Sequence, residues 1–401
     1  MTLTGGSSGT EATGHKRQPG PGFVVVCDRL SIHTPHLGIP KVGIVAVPLS
    51  PEAETGRVGE AAEGLDGAVV GPIRGRIRRR GWRRVSHGLY ARGTVPRPGS
   101  TRQPVTSVRT GRRGMSESYV RSPHRARDLV ELLAWCAVLP PGAAFTHLTA
   151  AEHRGWWLPR LPRDVPVFVS VPDKGTRPRR AGLHVTRHSA KVQSRLIDGL
   201  PLADPAEVLL AAACHLGLLD LVVLGDGALH LGDVTVEELA MAASRRRRGA
   251  PALRAALPWM DGRSESPGET LLRLLHSTCR VQVEVQAPIR DEYDQLIARA
   301  DLRIVGTGRL AEYDGAHHRD AGQYERDRER DRRLQALGWS PYSYSAITVL
   351  RQPHLILRDA DGALGRASDP DRLETWLQLV QESTYTPAGL GMLRKRLKRD
   401  N

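Results

Sequence analysis

The amino-acid sequence predicts a multi-domain chain of mixed α/β (α+β) class. At 401 residues it exceeds what one ordinary core organises, so two or three domains of about 100–200 residues each are expected. Amphipathic stripes such as Leu129, Leu132 and Leu133 alternate along it with β-branched runs such as Val165-Pro166-Val167-Phe168-Val169-Ser170-Val171. Hydrophobic residues make up 40% and charged residues 25%, the balance of a globular protein rather than of a disordered one.

Residues 1–60 read as a disordered extension. Gly, Pro, Ser and Thr dominate there, and Phe23-Val24-Val25-Val26 and Val42 to Leu49 are too short to build a core. Residues 61–94 read as a degraded winged helix. In them Ile73-Arg74-Gly75-Arg76-Ile77-Arg78-Arg79-Arg80 precedes Gly81-Trp82-Arg83-Arg84-Val85-Ser86-His87-Gly88-Leu89-Tyr90. An Arg-rich helix facing a groove, then two short strands laid on phosphates, makes Arg78, Arg79, Arg83 and Arg84 DNA contacts. Gly71, Pro72 and Gly75 oppose that helix, Pro by about 3 kcal/mol in a helix interior. A basic solvated linker is therefore the competing reading. Residues 95–125 form a linker.

The middle domain, 126–260, is predicted to be α+β. Pro140-Pro141-Gly142 stops its first helix, and Thr146 to Trp157 forms a second. The strand over 165–171 partners Leu183-His184-Val185-Thr186-Arg187, and Glu207 to Val223 reads as one buried helical stretch. No Ser/His/Asp set, phosphate-binding Gly loop or His pair at metal spacing is evident. His147, His153, His184 and His215 read as packing or surface residues, and Ser244 to Gly249 as a solvated helix end.

The final domain, 264–355, opens on Ser266-Pro267-Gly268-Glu269, a capping box that launches the stripe Leu271, Leu272, Leu274 and Leu275. Strands follow over Val281 to Ile289, Ile297 to Val305 and Gly308 to Tyr313. A helix from about Tyr324 stops at Gly338, and Tyr342 to Val349 returns to the sheet. Residues 356–401 read as a tail with a helix.

Gly306-Thr307 suits a two-residue type II′ loop, which wants Gly first. Val305 then pairs with Gly308, and Asp301 stands opposite Glu312, about 4.5–5.5 Å away. Two carboxylates about 5 Å apart repel by about 3 kcal/mol at an effective dielectric of about 20. A shared proton, an arginine or a divalent cation must offset this. Oxygen ligands suit Mg2+ or Mn2+, whereas Arg299, Arg303 or Arg309 could neutralise the pair on a solvated face.

Lys and Arg number 58 against 43 Asp and Glu, a net charge of +15, and nearly all the positive charge is arginine. A guanidinium binds two phosphate oxygens at once, so nucleic acid is the first partner expected and an anionic membrane the second. A GC-rich genome is the alternative source of the arginines. Cys27, Cys136, Cys214 and Cys279 form no C-x-x-C pair, which predicts a reducing compartment. No apolar run approaches the roughly 20 residues of a membrane span, and no export signal is evident. No membrane and a cytoplasmic location are expected.

Several residues of the last domain match a family pattern. Glu269, Gln286, Ala300-Asp301-Leu302, Glu312-Tyr313-Asp314-Gly315-Ala316-His317-His318, Asp327-x-x-Arg330-Asp331, Leu334 and Gly338-Trp339 resemble the very-short-patch-repair-endonuclease-like domain of the PD-(D/E)XK superfold. The resemblance implies a restriction-endonuclease-like α/β domain that hydrolyses DNA phosphodiesters. It implies Asp301 and Glu312 as ligands of Mg2+ or Mn2+, with Asp314 and His318 shaping or serving the attacking water. Glu269 would be the helical acid, or simply the helix cap, and Arg330 would clamp phosphate. Adjacent His317 and His318 cannot both enter one site from a regular strand, and His318 is favoured. Arg84-Val85-Ser86-x-Gly88-Leu89-Tyr90 and the general layout resemble actinobacterial AbiEi-antitoxin-like proteins, in which a winged helix precedes such a domain.

Two residues depart from the pattern. Asp314 stands where the superfold carries lysine, and Ser343 where related domains carry arginine. The leading expectation is a metal-dependent DNA endonuclease. The alternative is a DNA-binding antitoxin-type transcriptional regulator with an inactive nuclease-like domain. An RNA-binding protein ranks third, because 4% aromatic residues offer few stacking platforms.

Overall fold

The computed structural model describes the strands β1 (Val24–Cys27), β2 (Val45–Ala46), β3 (Val69–Val70), β4 (Trp82–Ser86) and β5 (Leu89–Arg92). It also describes His124 and residues 126–400, except 175–176, 189–192 and 316–320. The chain divides into two compact units, Met1–Pro98 with Asp128–Val138, and Gly99–Arg127 with Leu139–Asn401.

In the first unit β5 lies between β1 and β4, antiparallel to both. The segment expected as an extension thus supplies β1, with Val24 opposite Arg92, and β2, which pairs with β3. Helix α1 (Leu129–Cys136), capped by the Asp128 carboxylate on the Glu131 N–H, packs against β1, β4 and β5. Its leucines therefore close this unit instead of opening the middle domain. The Arg-rich helix expected over 73–80 lies outside the described residues.

The second unit contains two sheets. The first has the order β8-β7-β6-β10-β9, from β6 (Ala144–Phe145), β7 (Val167–Pro172), β8 (Leu183–His188), β9 (Ser194–Ile197) and β10 (Leu200–Ala203). The expected pairing across the polar loop is present, with β7 parallel to β8 and Val167 opposite Leu183. Around this sheet lie α2 (His147–Arg154), α3 (Pro205–Ala212), α4 (Leu218–His230), α5 (Val236–Ser244) and α6 (Ala250–Ala256). The expected helix over 207–223 is two. The break falls at Gly217, which caps α4 and lets the Glu382 carbonyl approach, since a Cβ there would stand 3.0 Å from that oxygen.

Helix α7 (Pro267–Thr278) begins at Ser266, whose hydroxyl accepts the Glu269 N–H. The second sheet follows as β11 (Val283–Arg290), β12 (Leu296–Ile304) and β13 (Arg309–Asp314), then helix α8 (Ala321–Ala336) and β14 (Ser340–Ser345). The first three strands form an antiparallel meander, and α8 is the crossover that lets β14 run parallel to β13. After Ser345 the chain turns helical rather than staying in the sheet. The Ser345 hydroxyl accepts the Thr348 N–H and starts α9 (Ala346–Arg351).

The expected tail is a packed helical layer of α10 (Pro353–Ala363), α11 (Glu374–Glu382) and α12 (Pro387–Arg399), with Trp376 fully buried. Nor does the expected boundary near 260–264 separate compact units. Buried Asp226 of α4 accepts Arg273 at 2.6 Å, Thr270 at 2.7 Å and the Asp261 N–H at 2.7 Å, locking α4 to α7. A lone buried carboxylate would cost several kcal/mol, and these donors offset it. Among the described residues no helix is long and apolar enough to cross a membrane.

Candidate functional site

The hairpin between β12 and β13 sets the site. Gly306, at φ +80, occupies the third position of a turn closed by the Thr307 N–H on the Ile304 carbonyl at 3.2 Å, so the turn is not the two-residue type expected. The register is nevertheless the expected one. Leu302 pairs with Ala311 and Arg303 with Leu310, and one further step sets Asp301 opposite Glu312. There Asp301 takes the ladder's place, its Oδ2 accepting the Tyr313 N–H at 2.8 Å.

Glu269 joins them from the first turn of α7. Gly268 makes this possible by lying against the Tyr313 ring, where a Cβ would fall 2.1 Å from a ring carbon. Glu269 is both cap and site residue. Its carboxylate accepts the Glu265 N–H at 2.7 Å, the Ser266 hydroxyl at 2.8 Å and the Gln286 carboxamide at 2.9 Å.

Arg330 of α8 supplies the cation. It grips both oxygens of Glu312, through Nη2 on Oε1 and through Nη1 on Oε2 at 3.2 Å, and its Nη1 lies 3.7 Å from Asp331. The expected phosphate clamp is therefore the counter-ion of Glu312 in this structure. The three arginines considered for that task stand elsewhere. Arg299 bonds Glu265 at 2.6 Å, Arg303 pairs with Glu284, and the Arg309 guanidinium stacks 3.6 Å over Tyr342.

One guanidinium does not balance three carboxylates. Burial, then the charges of Glu269 and Glu312, push the Asp301 carboxyl up to about 7 against the pull of the Tyr313 N–H and Arg330. Burial also raises Glu269, although its three donors oppose the rise. The Asp301 carboxyl thus holds its proton well above the ordinary carboxylate range. Among the described residues, no three His, Cys, Asp or Glu side chains stand close enough to hold a metal ion as they are.

Asp314 ends β13 beside Ser345 as an exposed residue, and burial first, then its charge, raises the Tyr313 hydroxyl. His318, Arg78 and Arg79 lie outside the described residues. Arg83 and Arg84 sit in β4 of the other compact unit, where the backbone alone is described. Gln286 and Gly268 are site-building residues that sequence reasoning assigned no role. A glycine directly before a helical acid is the one signal that could have found Gly268.

No family model and no solved structure matches this chain. Two proteins of Mycobacterium tuberculosis do: uncharacterized protein Rv2248 of strain ATCC 25618 / H37Rv and uncharacterized protein MT2308 of strain CDC 1551 / Oshkosh. Each is 30% identical over 197 residues, a match spanning 47% of this chain and 70% of the relative. The chain belongs to their family. Neither relative's name states an activity.

Proposed function

We propose that the protein is a metal-dependent DNA endonuclease of very-short-patch-repair-like type, with its site on the β11–β14 module. The observation that carries this reading is the charge imbalance: Glu269, Asp301 and Glu312 stand together, Arg330 pairs with Glu312, and burial and the neighbouring carboxylates push Asp301 up to about 7. Structural ion pairs have no physical reason to keep an excess carboxylate, whereas a cation site needs one. The donor set fits Mg2+ or Mn2+, with Asp301 and Glu312 as oxygen ligands. When bound, the ion would supply Lewis acidity to a phosphodiester.

The chain's own groups do the rest. The Tyr313 N–H fixes Asp301, and the Gln286, Ser266 and Glu265 donors fix Glu269. Glu312 is freed when Arg330 exchanges it for a phosphate, whose oxygens suit the same bidentate fork. Arg330 then stabilises the charge that develops on the phosphate. The net charge of +15 supports a polyanionic partner, and a reducing, cytoplasmic location suits unpaired thiols.

Incubation with supercoiled plasmid, mismatched duplex and single strands in Mg2+ or Mn2+ tests the proposal. Wild type is expected to nick or break at least one substrate, and Glu312→Gln to lose cleavage while retaining binding. Equal activity in both proteins would expose a contaminant.

One arrangement favours a second reading, a DNA-binding antitoxin-type regulator. Glu312 is already saturated by Arg330, and Asp314 replaces the lysine. That reading predicts no cleavage with either metal, and a loss of DNA affinity on substituting Arg83 and Arg84 larger than any change at Glu312 produces.

A further inference from the structure

We propose that Gln286 is the positioning residue of the acidic site, bent out of the β11 ladder so that its carboxamide holds Glu269 beside Asp301. The inference rests on reading that cluster as a functional site. It starts from backbone conformation. Five non-glycine residues among those described have positive φ: His147, Asp198, Arg280, Gln286 and Asp294. His147 opens a helix, Asp198 and Asp294 lie in loops between strands, and Arg280 follows the end of α7. Gln286 alone of these sits inside a strand, at φ +52.

A left-handed residue in mid-strand interrupts the pairing at its own position, and glutamine has none of the tolerance that glycine or asparagine brings to it. The ladder records this. Val285 pairs with Leu302 and Ala287 with Ala300, whereas Gln286 and Asp301, the residues between, do not pair. The distortion therefore falls directly beside Asp301, the acid that Glu269 faces.

The bend also has a visible product. The Gln286 Nε2 donates to Glu269 Oε2 at 2.9 Å, the one side-chain bond recorded from β11 to the start of α7. The other two donors to Glu269, Glu265 N–H and Ser266 Oγ, are parts of an ordinary helix cap and would hold the acid without help from the sheet. Gln286 ties that cap to the β12 acid. It is also among the donors that hold Glu269's proton affinity down. Strained backbone persists where the surrounding structure over-determines it, and such strain collects at functional sites.

The test separates backbone from side chain in the full-length protein. Gln286→Gly removes the left-handed penalty together with the carboxamide, and Gln286→Leu keeps the penalty while removing the carboxamide. The first readout is the titration of Glu269, followed by NMR on protein carrying 13C-labelled glutamate carboxyls, with Glu269→Gln to assign the signal. Both variants are expected to titrate at higher pH than wild type. The second readout is the melting temperature, expected to fall for Gln286→Leu and to hold or rise for Gln286→Gly.

A Glu269 titration unmoved in both variants would overturn the proposal. So would a melting temperature that falls as far for Gln286→Gly as for Gln286→Leu, because the residue would then serve folding alone. Adding Mn2+ keeps the two ideas apart. If wild type binds no Mn2+, the metal reading fails, while the Glu269 shift still decides the role of Gln286. If wild type binds it, both variants are expected to bind at least tenfold more weakly, and unchanged affinity would overturn the positioning role.

Discussion

Two polar clusters of the second compact unit differ in how their charges balance, and their contrast separates structure from site. Beside the first sheet, the Leu148 N–H donates to His147 Nδ1 at 2.7 Å, so His147 Nε2 carries the proton and donates to His215 Nδ1 at 3.0 Å. His215 Nε2 in turn donates to Asp400 at 2.8 Å, and Arg248 Nη2 reaches the same carboxylate at 2.5 Å. His147 stacks on Phe168 at 4.0 Å, and His184 sets its edge to His215. Arg248 pairs directly with the Asp400 carboxylate, Arg396 Nη1 donates to the His215 carbonyl at 2.9 Å, and burial lowers all three imidazoles. The acidic cluster instead sets the carboxylates of Glu269, Asp301 and Glu312 against the Arg330 guanidinium. A network that closes on itself rigidifies a core, whereas one left with net charge awaits a partner.

Acidity acts on the two clusters with opposite sign, which offers the sharpest way to break the comparison. The folded pKa of Asp301 is raised, to about 7, so the folded state binds the extra proton and stability falls as pH climbs from the ordinary carboxylate range through 7. Asp301→Asn keeps an acceptor for the Tyr313 N–H and removes the charge. It should stabilise the protein by on the order of 1–3 kcal/mol at pH 8 and hardly at all at pH 4, read from denaturant unfolding. A loss of stability at pH 8 would mean that Asp301 is already balanced, and the contrast would collapse.

A smaller effect is expected at Arg330. Arg330→Leu should lower stability by about 1–2 kcal/mol at pH 8, between the values for exposed and buried pairs, because Glu312 loses the arginine that grips both its oxygens. Mn2+ should restore more melting temperature in this variant than in wild type. No such recovery would argue that the carboxylates do not face a common cation position.

The smallest change belongs to the closed cluster. His147 lies well below the ordinary histidine range through burial, then through His215 and His184, while burial takes His184 down to about 4 and lowers His215 against the pull of Asp400. Folded pKa values below the unfolded one give stability that is complete above about 6.5 and lost as pH falls through that value toward 4. Since His184 Nδ1 is buried without a hydrogen bond, His184→Phe should shift stability by less than about 1 kcal/mol at pH 8. It should also make acid unfolding shallower. An unchanged acid limb would place the sensitivity elsewhere.

Local chemistry explains what could be read from the sequence. The turn glycine and an even loop were enough to set Asp301 opposite Glu312, because a strand's side chains repeat every two residues. Ser266 announced α7 for an equally local reason. Where the answer lay in tertiary contacts, the sequence was silent or misleading. The apolar run through Leu216 hides the break between α3 and α4, which Gly217 makes only because Glu382 approaches it. The run Ile347-Thr348-Val349 has strand chemistry, yet the Ser345 cap turns it into α9. Arg330 reads alike as a clamp or as a counter-ion until its distance from Glu312 is known. Gln286 carries no mark of a left-handed residue.

The helical layer after β14 also bears on how the chain matures. The Ser383 hydroxyl and the Thr384 N–H both close on Asp220, and Asp400 closes on His215, spans of 163 to 185 residues that reach across the whole acidic module. A nascent chain that has emerged only as far as β14 therefore carries Asp220 and His215 without their acceptors and donors. These two side chains wait for segments made much later, and closing such long loops slows folding. Chaperone dependence during synthesis should accordingly track residues 383–400 rather than the strands themselves.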